Sequence, residues 1–237
     1  DLTAGDSSSA GRARRTVHEV VWLAGAWLLV IVLARYTTLD QALTAGFHDP
    51  ETAGFPLRHS AFWSTVMHSG LKYLSIAIWL TLLVSWLLLA RWLRNKHLRG
   101  VIGFTLLVAP LSALVVSVLR SLSAHSCPWE LAVYGGGAEY FRFFDSVPAD
   151  PGTGRCVPSG HASAGFMWIA GYVAARRASP VAARLALALT LCLGVLTGLT
   201  QIVRGAHFLS HVLLTAWVCY AVAWVSDLGW RYFSRRR

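Results

Sequence analysis

Three short polar clusters carry the residue types that phosphate chemistry uses. The first is Arg120-Ser-Leu-Ser-Ala-His125-Ser-Cys127-Pro128-Trp129. The second is Pro158-Ser159-Gly160-His161, and the third is Arg204-Gly-Ala-His207-Phe-Leu-Ser-His211. In the second, Ser159 is a helix-capping residue type and Gly160 admits a ligand close to the backbone. Free N–H groups at such a helix start hold an anion beside His161. In the third, spacings of three and four put Arg204, His207 and His211 on one face of a helix. Arginine offers a forked donor that matches phosphate oxygens. His207 is then placed to attack phosphorus and His211 to orient it, while His161 moves a proton. Taken singly, an Arg at a span end snorkels and a lone His makes a structural hydrogen bond. Three clusters on one membrane face point instead to an anion site.

The elements that must position these clusters are membrane spans. The 237 residues are 55% hydrophobic and only 14% charged, against about 25% charged in an ordinary soluble domain. Apolar blocks with cores at Val20–Tyr36, Leu71–Ala90, Val101–Leu119, Ser163–Ala175, Leu185–Val203 and Val212–Val225 approach the roughly 20 residues that cross a hydrocarbon core. A secreted soluble domain, a nucleic-acid module and a disordered chain are excluded. The expected fold is all-α, a bundle of six transmembrane helices, with the clusters at the outer ends of spans three, four and six.

The net charge of +10 follows the membrane rather than DNA. Fourteen of the 21 basic residues fall on one side of a six-span arrangement. They are Arg12, Arg14 and Arg15; Arg91, Arg94, Lys96 and Arg99; Arg176, Arg177 and Arg184; and Arg231 with Arg235, Arg236 and Arg237. Short Lys- and Arg-rich loops stay cytoplasmic, which puts both termini inside. Seven of the eleven acids, Asp40, Asp49, Glu51, Glu130, Glu139, Asp145 and Asp150, fall on the opposite side. Residues 1–17 read as a disordered cytoplasmic tail, 18–233 as one membrane domain and 234–237 as a basic tail. The loop from Thr37 to Phe62 reads as irregular or interfacial. The loop from Ser121 to Val157 is longer than most connections, which suits a functional role. It is expected to be partly helical.

Cys127 and Cys156 bracket that second loop. A disulfide between them would stabilise it by roughly 3–4 kcal/mol in the chain-entropy model. Two unpaired thiols are the other reading, and a Cys/His zinc site lacks the CxxC spacing such sites use. Cys192 and Cys219 fall mid-span and read as packing residues.

With these residues in view, the chain resembles the type 2 phosphatidic acid phosphatase (PAP2) superfamily. The family pattern is Lys-x6-Arg-Pro, then Pro-Ser-Gly-His, then an Arg and a His-x3-Asp. Pro158–His161 matches the second motif fully, and the resemblance covers about residues 100–225. It implies a six-helix membrane lipid phosphatase in which His207 forms a phosphohistidine and His161 protonates the leaving group. Ser159, Gly160, Arg120 and Arg204 would hold the phosphate. Departures mark a bacterial subgroup with Cys-Pro-Trp and Arg-Gly-Ala-His signatures. Arg120 stands for the family Lys, Cys127 for the Arg before Pro128, Gln201 for the third-motif Arg, and His211 for the Asp. Arg142 or Arg155 would then supply the lost clamp. His125, Pro128 and Trp129 complete the candidate site.

The resemblance further implies a bacterial inner-membrane enzyme with its site facing the periplasm, no cofactor and no metal. Its partners would be the bilayer and a lipid phosphate: undecaprenyl diphosphate, phosphatidylglycerol phosphate, phosphatidic acid or lipid A phosphate. A phosphotransferase that passes the phosphoryl group to a second lipid such as lipid A uses the same residues. A transporter or flippase would show midplane charges and repeated halves. An intramembrane serine protease would need a Gly-x-Ser context. A zinc hydrolase would need a Glu between His207 and His211. None of these features is present in the sequence.

Overall fold

The computed structural model describes the backbone of residues 2–234 and the side chains of residues 14 and 16–233. Among them there is no strand, and helices dominate. Helix α1 (Leu2–Tyr36) is followed by short α2 (Leu39–Ala45) and a 3₁₀ turn at Pro56–Arg58. Next, a π-helical stretch (Phe62–Gly70) runs directly into α3 (Leu71–Leu89). Helix α4 (Lys96–Ser121) leads into the long loop, whose 3₁₀ turns lie at Pro128–Glu130 and Ala132–Tyr134. Short α5 (Ser163–Phe166) and α6 (Ile169–Ala175) precede α7 (Pro180–Val203) and α8 (Leu209–Ser234). The first helix continues through the polar segment expected to be a disordered tail. Its charges at Arg12 and Arg15, and those at Arg235, Arg236 and Arg237, lie outside the described side chains.

Capping follows from local sequence. Asn95 accepts the Leu98 N–H at the start of α4. Ser179 accepts the Ala182 N–H at the start of α7, with Pro180 in the first turn where its missing N–H costs nothing.

Five helices are long and apolar enough to cross a membrane: Thr16–Tyr36, Phe62–Leu89, Lys96–Ser121, Pro180–Val203 and Leu209–Phe233. That is one fewer than the six apolar blocks. The block at Ser163–Ala175 instead forms α5 and α6, which together rise only about 20 Å against a core of about 30 Å. Gly160 packs against Arg120 at one end of α4. Ala174 shares a cavity with Lys96 and Gly100 at the other end. The broken pair therefore runs antiparallel to α4 inside the bundle, where protein rather than lipid satisfies the interrupted backbone. Its close fit is visible at Gly165, where a Cβ would meet the Leu193–Gly194 backbone.

Helices α4, α6, α7 and α8 form the inner bundle, with α1 packed on α8 and α3 on α4. The buried apolar core runs between them, through Phe104, Val108, Val116, Phe166, Val173, Val212 and Val218. Residues such as Leu28, Leu29, Leu87 and Leu88 remain more than 60% exposed, as lipid-facing surface requires. Indole N–H groups tie the outer and inner helices together. Trp79 donates to the Leu106 carbonyl, Trp86 to Arg99 and Trp217 to Leu23. Trp168 donates to the Ser75 hydroxyl, which itself donates to the Ala164 carbonyl and so pins α5 and α6 to α3.

The two ends differ in charge. At the Lys96 end, Asp227 meets Arg176 at 3.0 Å, Arg231 at 3.2 Å and Arg177 at 3.3 Å, and Arg176 also meets Glu19 at 2.9 Å. Removing the shared carboxylate would leave three guanidinium groups facing one another. Asp227→Ala should therefore lower stability by about 3 kcal/mol, read as a lower unfolding temperature in detergent.

Candidate active site

The third polar cluster is a turn rather than a helical face. Helix α7 stops at Val203, and Gly205 takes a φ of +68°, a conformation open to glycine and strained for other residues. A Cβ there would also strike the Phe55 ring. The N–H groups of Ala206 and His207 both return to the Gln201 carbonyl, at 2.8 and 3.3 Å. Arg204 and His207 consequently belong to the reversal, and only His211 lies on α8. The expected single helical face is corrected accordingly. The turn achieves what the spacing was thought to do, aiming Arg204 and His207 at the same space.

The second cluster is docked onto α8. After the cis Val157–Pro158 bond, the Ser159 N–H donates to the His211 carbonyl at 3.2 Å, and the Ser159 carbonyl accepts the Thr215 hydroxyl at 3.0 Å. The Ser159 hydroxyl accepts the Ala162 N–H at 3.4 Å. Ser159 is thus fully buried and anchors the motif. Gly160 and His161 face outward from that anchor. Among the described residues, neither of their N–H groups has a backbone acceptor. Arg120 lies across Gly160, its Cδ 3.3 Å from where a Cβ would stand.

His161, His207, Arg120, Arg204 and Gly160 line one open cavity of about 530 Å3, with Cys127, Trp129, Gln201, His68 and Lys72 completing its polar wall. Its deeper side is bounded by Ile76, Ala113 and Met167, from α3, α4 and the α5–α6 joint. Burial, with Arg120 as the next contribution, pushes the His207 imidazole down to a pKa of about 3. Burial likewise pushes His161 down to about 3, helped by His68, Arg204 and Lys72. Both rings are neutral at pH 7, the form that attacks or accepts a proton. The His161 Nε2 is buried with no hydrogen-bond partner among the described residues. His207 is hydrogen-bonded to the Cys156 backbone, and its Nδ1 lies 3.2 Å from Cys156 Sγ. With the proton on Nδ1, the nitrogen that faces Cys156, Nε2 keeps the lone pair.

Cys156 and Cys127 are joined by a disulfide, with Cα atoms 5.2 Å apart. Sequence reasoning expected His211 to orient the nucleophile. The structure puts the two rings 5.8 Å apart at 73°, and it is Cys156 that touches His207 Nδ1. His211 borders a separate cavity of about 20 Å3 shared with Asp40, His125 and Arg142. In that second group His125 stacks on Phe141 at 4.2 Å, and Arg142 donates to the Arg35 carbonyl at 3.1 Å. Arg155 is exposed. Neither Arg142 nor Arg155 lines the larger cavity, so neither replaces the lost clamp. Both are held elsewhere by local bonds, Arg155 through its N–H to the Ser123 carbonyl at 2.7 Å.

Three contributors, His68, Lys72 and Arg58, escaped the sequence because they come from the first outer loop and the start of the α3 segment and carry no motif. His68, on the π-helical stretch, stacks on His161 with ring centroids 4.1 Å apart. Gln201 Nε2 lies 2.9 Å from His68 Nδ1, so the donated amide proton leaves His68 Nε2–H free to donate. Lys72 follows one turn later. Arg58 stacks its guanidinium on Trp129 at 4.0 Å, and its carbonyl accepts from Arg204 Nε at 3.3 Å. Trp129 itself donates its backbone N–H to the Gly205 carbonyl at 2.9 Å. Pro128 is buried in the turn beneath it. An unusual π-helical winding within a long apolar helix is a common mark of a functional site, but it shows only in the fold.

The family model of the PAP2 superfamily matches residues 100–236, the stretch that carries all three clusters. The chain belongs to the PAP2 superfamily. The matched region begins in α4 and leaves His68 and Lys72 outside it. A solved structure described as the crystal structure of the first transmembrane PAP2 type phosphatidylglycerolphosphate phosphatase from Bacillus subtilis shares the fold. Its TM-score is 0.53 at 16% identity, covering 90% of this chain and 95% of that one. No curated protein matches the sequence. Membership in this superfamily, with its cationic cavity and paired imidazoles, supports a membrane-embedded phosphatase.

Two substitutions test the geometry. Gly160→Ala should displace Arg120 by a few tenths of an ångström and lower phosphatase turnover with the fold retained. His68→Ala should lower turnover while leaving Arg120 and Arg204 in place. Steady-state phosphate release from purified variants checks both.

Proposed function

We propose that the protein is a lipid phosphatase that cleaves the phosphomonoester or diphosphate of an envelope lipid through a phosphohistidine at His207. The observation that carries this reading is the shared cavity. Two neutral imidazoles and two arginines converge there, beside backbone N–H groups at Gly160 and His161. The Arg120 and Arg204 guanidinium groups would neutralise the phosphoryl oxygens as charge builds on them. His207 Nε2 would attack phosphorus, forming the N–P bond as the P–O bond to the leaving group breaks. His161 Nε2, protonated once a phosphate anion sits beside it, would deliver its proton to that oxygen. A water deprotonated by the same nitrogen would then release inorganic phosphate and restore both rings.

The cavity's apolar side, between α3 and α4, would let acyl or prenyl chains remain in the membrane while the headgroup enters. Six chain passes, counting α5 and α6 as one, keep both termini on the basic Lys96 side. The basic-side rule makes that side cytoplasmic and puts the cavity on the periplasmic face of a bacterial inner membrane. Phosphatidylglycerol phosphate, for which the structurally similar phosphatase is named, joins undecaprenyl diphosphate, phosphatidic acid and lipid A phosphate as candidates. Lys72 and Trp129 on the cavity wall favour a headgroup with a second anionic group over a bare monoester.

Purified protein offered a panel of these lipids should release phosphate from at least one, with no loss on addition of chelator. His161→Ala should lower that rate by about 10²–10⁴-fold, and His207→Ala should abolish it. Quenching His161→Ala in alkaline detergent should retain base-stable, acid-labile phosphate on the protein. His211→Ala should cost less than either, because Cys156 holds His207. Failure of every lipid to release phosphate, or full activity in His207→Ala, rejects the reading.

A further inference from the structure

The Cys127–Cys156 disulfide belongs to the wall of the active site. Cys127 lines the cavity. Cys156 is fully buried, with Sγ 3.2 Å from His207 Nδ1. The two sulfurs and a ring nitrogen of His207 all lie within 4.8 Å of one another, and all three residues are buried. Two thiolates and one imidazole are a zinc donor set that leaves the fourth position open. Cys127 and His207 both line the cavity, which gives a metal ion its route in. While the sulfurs are bonded to each other, neither can become a thiolate and the site cannot form.

We infer that Cys127, Cys156 and His207 form a zinc site when the disulfide is reduced, and that zinc there takes the nucleophile out of service. The metal site stands on the three side chains alone. Its effect on turnover rests on the reading of His207 as nucleophile.

The chemistry balances as follows. An external dithiol gives two electrons and two protons to the disulfide, leaving thiols at Cys127 and Cys156, and becomes a cyclic disulfide. Zinc then displaces the two thiol protons and takes the lone pair of His207 Nδ1. The ring stays neutral by carrying its proton on Nε2 instead. Nε2 now has an N–H where it had a lone pair, so it cannot attack phosphorus. The sulfurs, each about 2.3 Å from the metal, separate by rotation of their side chains. In the disulfide state no metal competes for Nδ1, and with the proton there Nε2 keeps its lone pair. The same wall thus sets which nitrogen of His207 is reactive.

The full chain in detergent tests this in oxidised and dithiol-reduced form, with reductant removed without air and zinc chloride added. Zinc per chain is measured after gel filtration. Reduced protein should hold one equivalent and oxidised protein none. Reduced protein alkylated with iodoacetamide, and a Cys127→Ser/Cys156→Ser variant that elutes as a single species, should hold none. His207→Ala in the reduced state should bind zinc at least roughly tenfold more weakly. Phosphate release by reduced protein should fall with zinc and return with chelator, while oxidised protein ignores the same zinc. Equal zinc binding in oxidised and reduced protein, or equal binding in the double-serine variant, overturns the site. Stoichiometric zinc without loss of turnover overturns the switch. Zinc binding as expected with no phosphate release in any state leaves the site intact and rejects the phosphatase reading instead.

Discussion

Backbone polar groups at membrane depth must be satisfied within the protein, and this requirement organises the active end of the molecule. Helices meet it by themselves, whereas the segments that deliver Arg204, His207 and His161 are not helical. They satisfy one another. The Trp129 N–H goes to Gly205, the Cys156 N–H to His125, the Arg155 N–H to Ser123 and the Ser159 N–H to His211. The Cys127–Cys156 bond and the Asp40 carboxylate, which accepts the Ser210 N–H at 2.9 Å, close the same network. Each link joins residues distant in sequence, so the cavity wall takes this form only when every link of this web is in place. An unmet N–H in such surroundings costs several kcal/mol, which gives the loops one favoured arrangement.

Within that web, the site combines cations at its rim with neutral imidazoles at its base. Burial keeps His161 and His207 uncharged, while Arg120, Arg204 and Lys72 remain to meet an anion. The pattern explains how departures from the family motif can be accommodated. Where the motif has an orienting carboxylate, His207 finds the Cys156 backbone. Where it has a clamping Arg, Gln201 holds His68 so that a second imidazole faces the cavity. These replacements are neutral donors and acceptors. They orient groups without adding charge to an already cationic pocket.

The bundle outside the site has a simpler task. Helices α1 and α3 are lipid-facing walls, joined to the inner helices by indole N–H bonds and by apolar packing. Their inner faces are nonetheless consequential. The start of the α3 segment brings His68 and Lys72 to the cavity, and α2 brings Asp40 beneath the start of α8. The α5–α6 pass lines the same cavity through Ser163, Ala164 and Met167.

Much of this protein was legible in its residues. Apolar blocks and few charges specify a membrane bundle, because no other solvent accepts such a surface. Pro158–His161 and the His207 region announce phosphate chemistry, because few other reactions need an anion cradle beside imidazoles. Tertiary structure decided what depends on contacts between distant segments. Gly205 turned the Arg204–His207 segment away from a helix, because a left-handed residue and the Phe55 ring end α7 there. Cys156 rather than His211 came to touch His207 Nδ1, and with 51 residues between that pair no local spacing encodes their meeting. His68 joined the site because a π-helical winding faces it toward His161, a register that periodicity in an all-apolar helix does not reveal. Arg142 was drawn elsewhere by the Arg35 carbonyl at the end of α1, 107 residues away in sequence, and the Arg155 side chain stayed exposed.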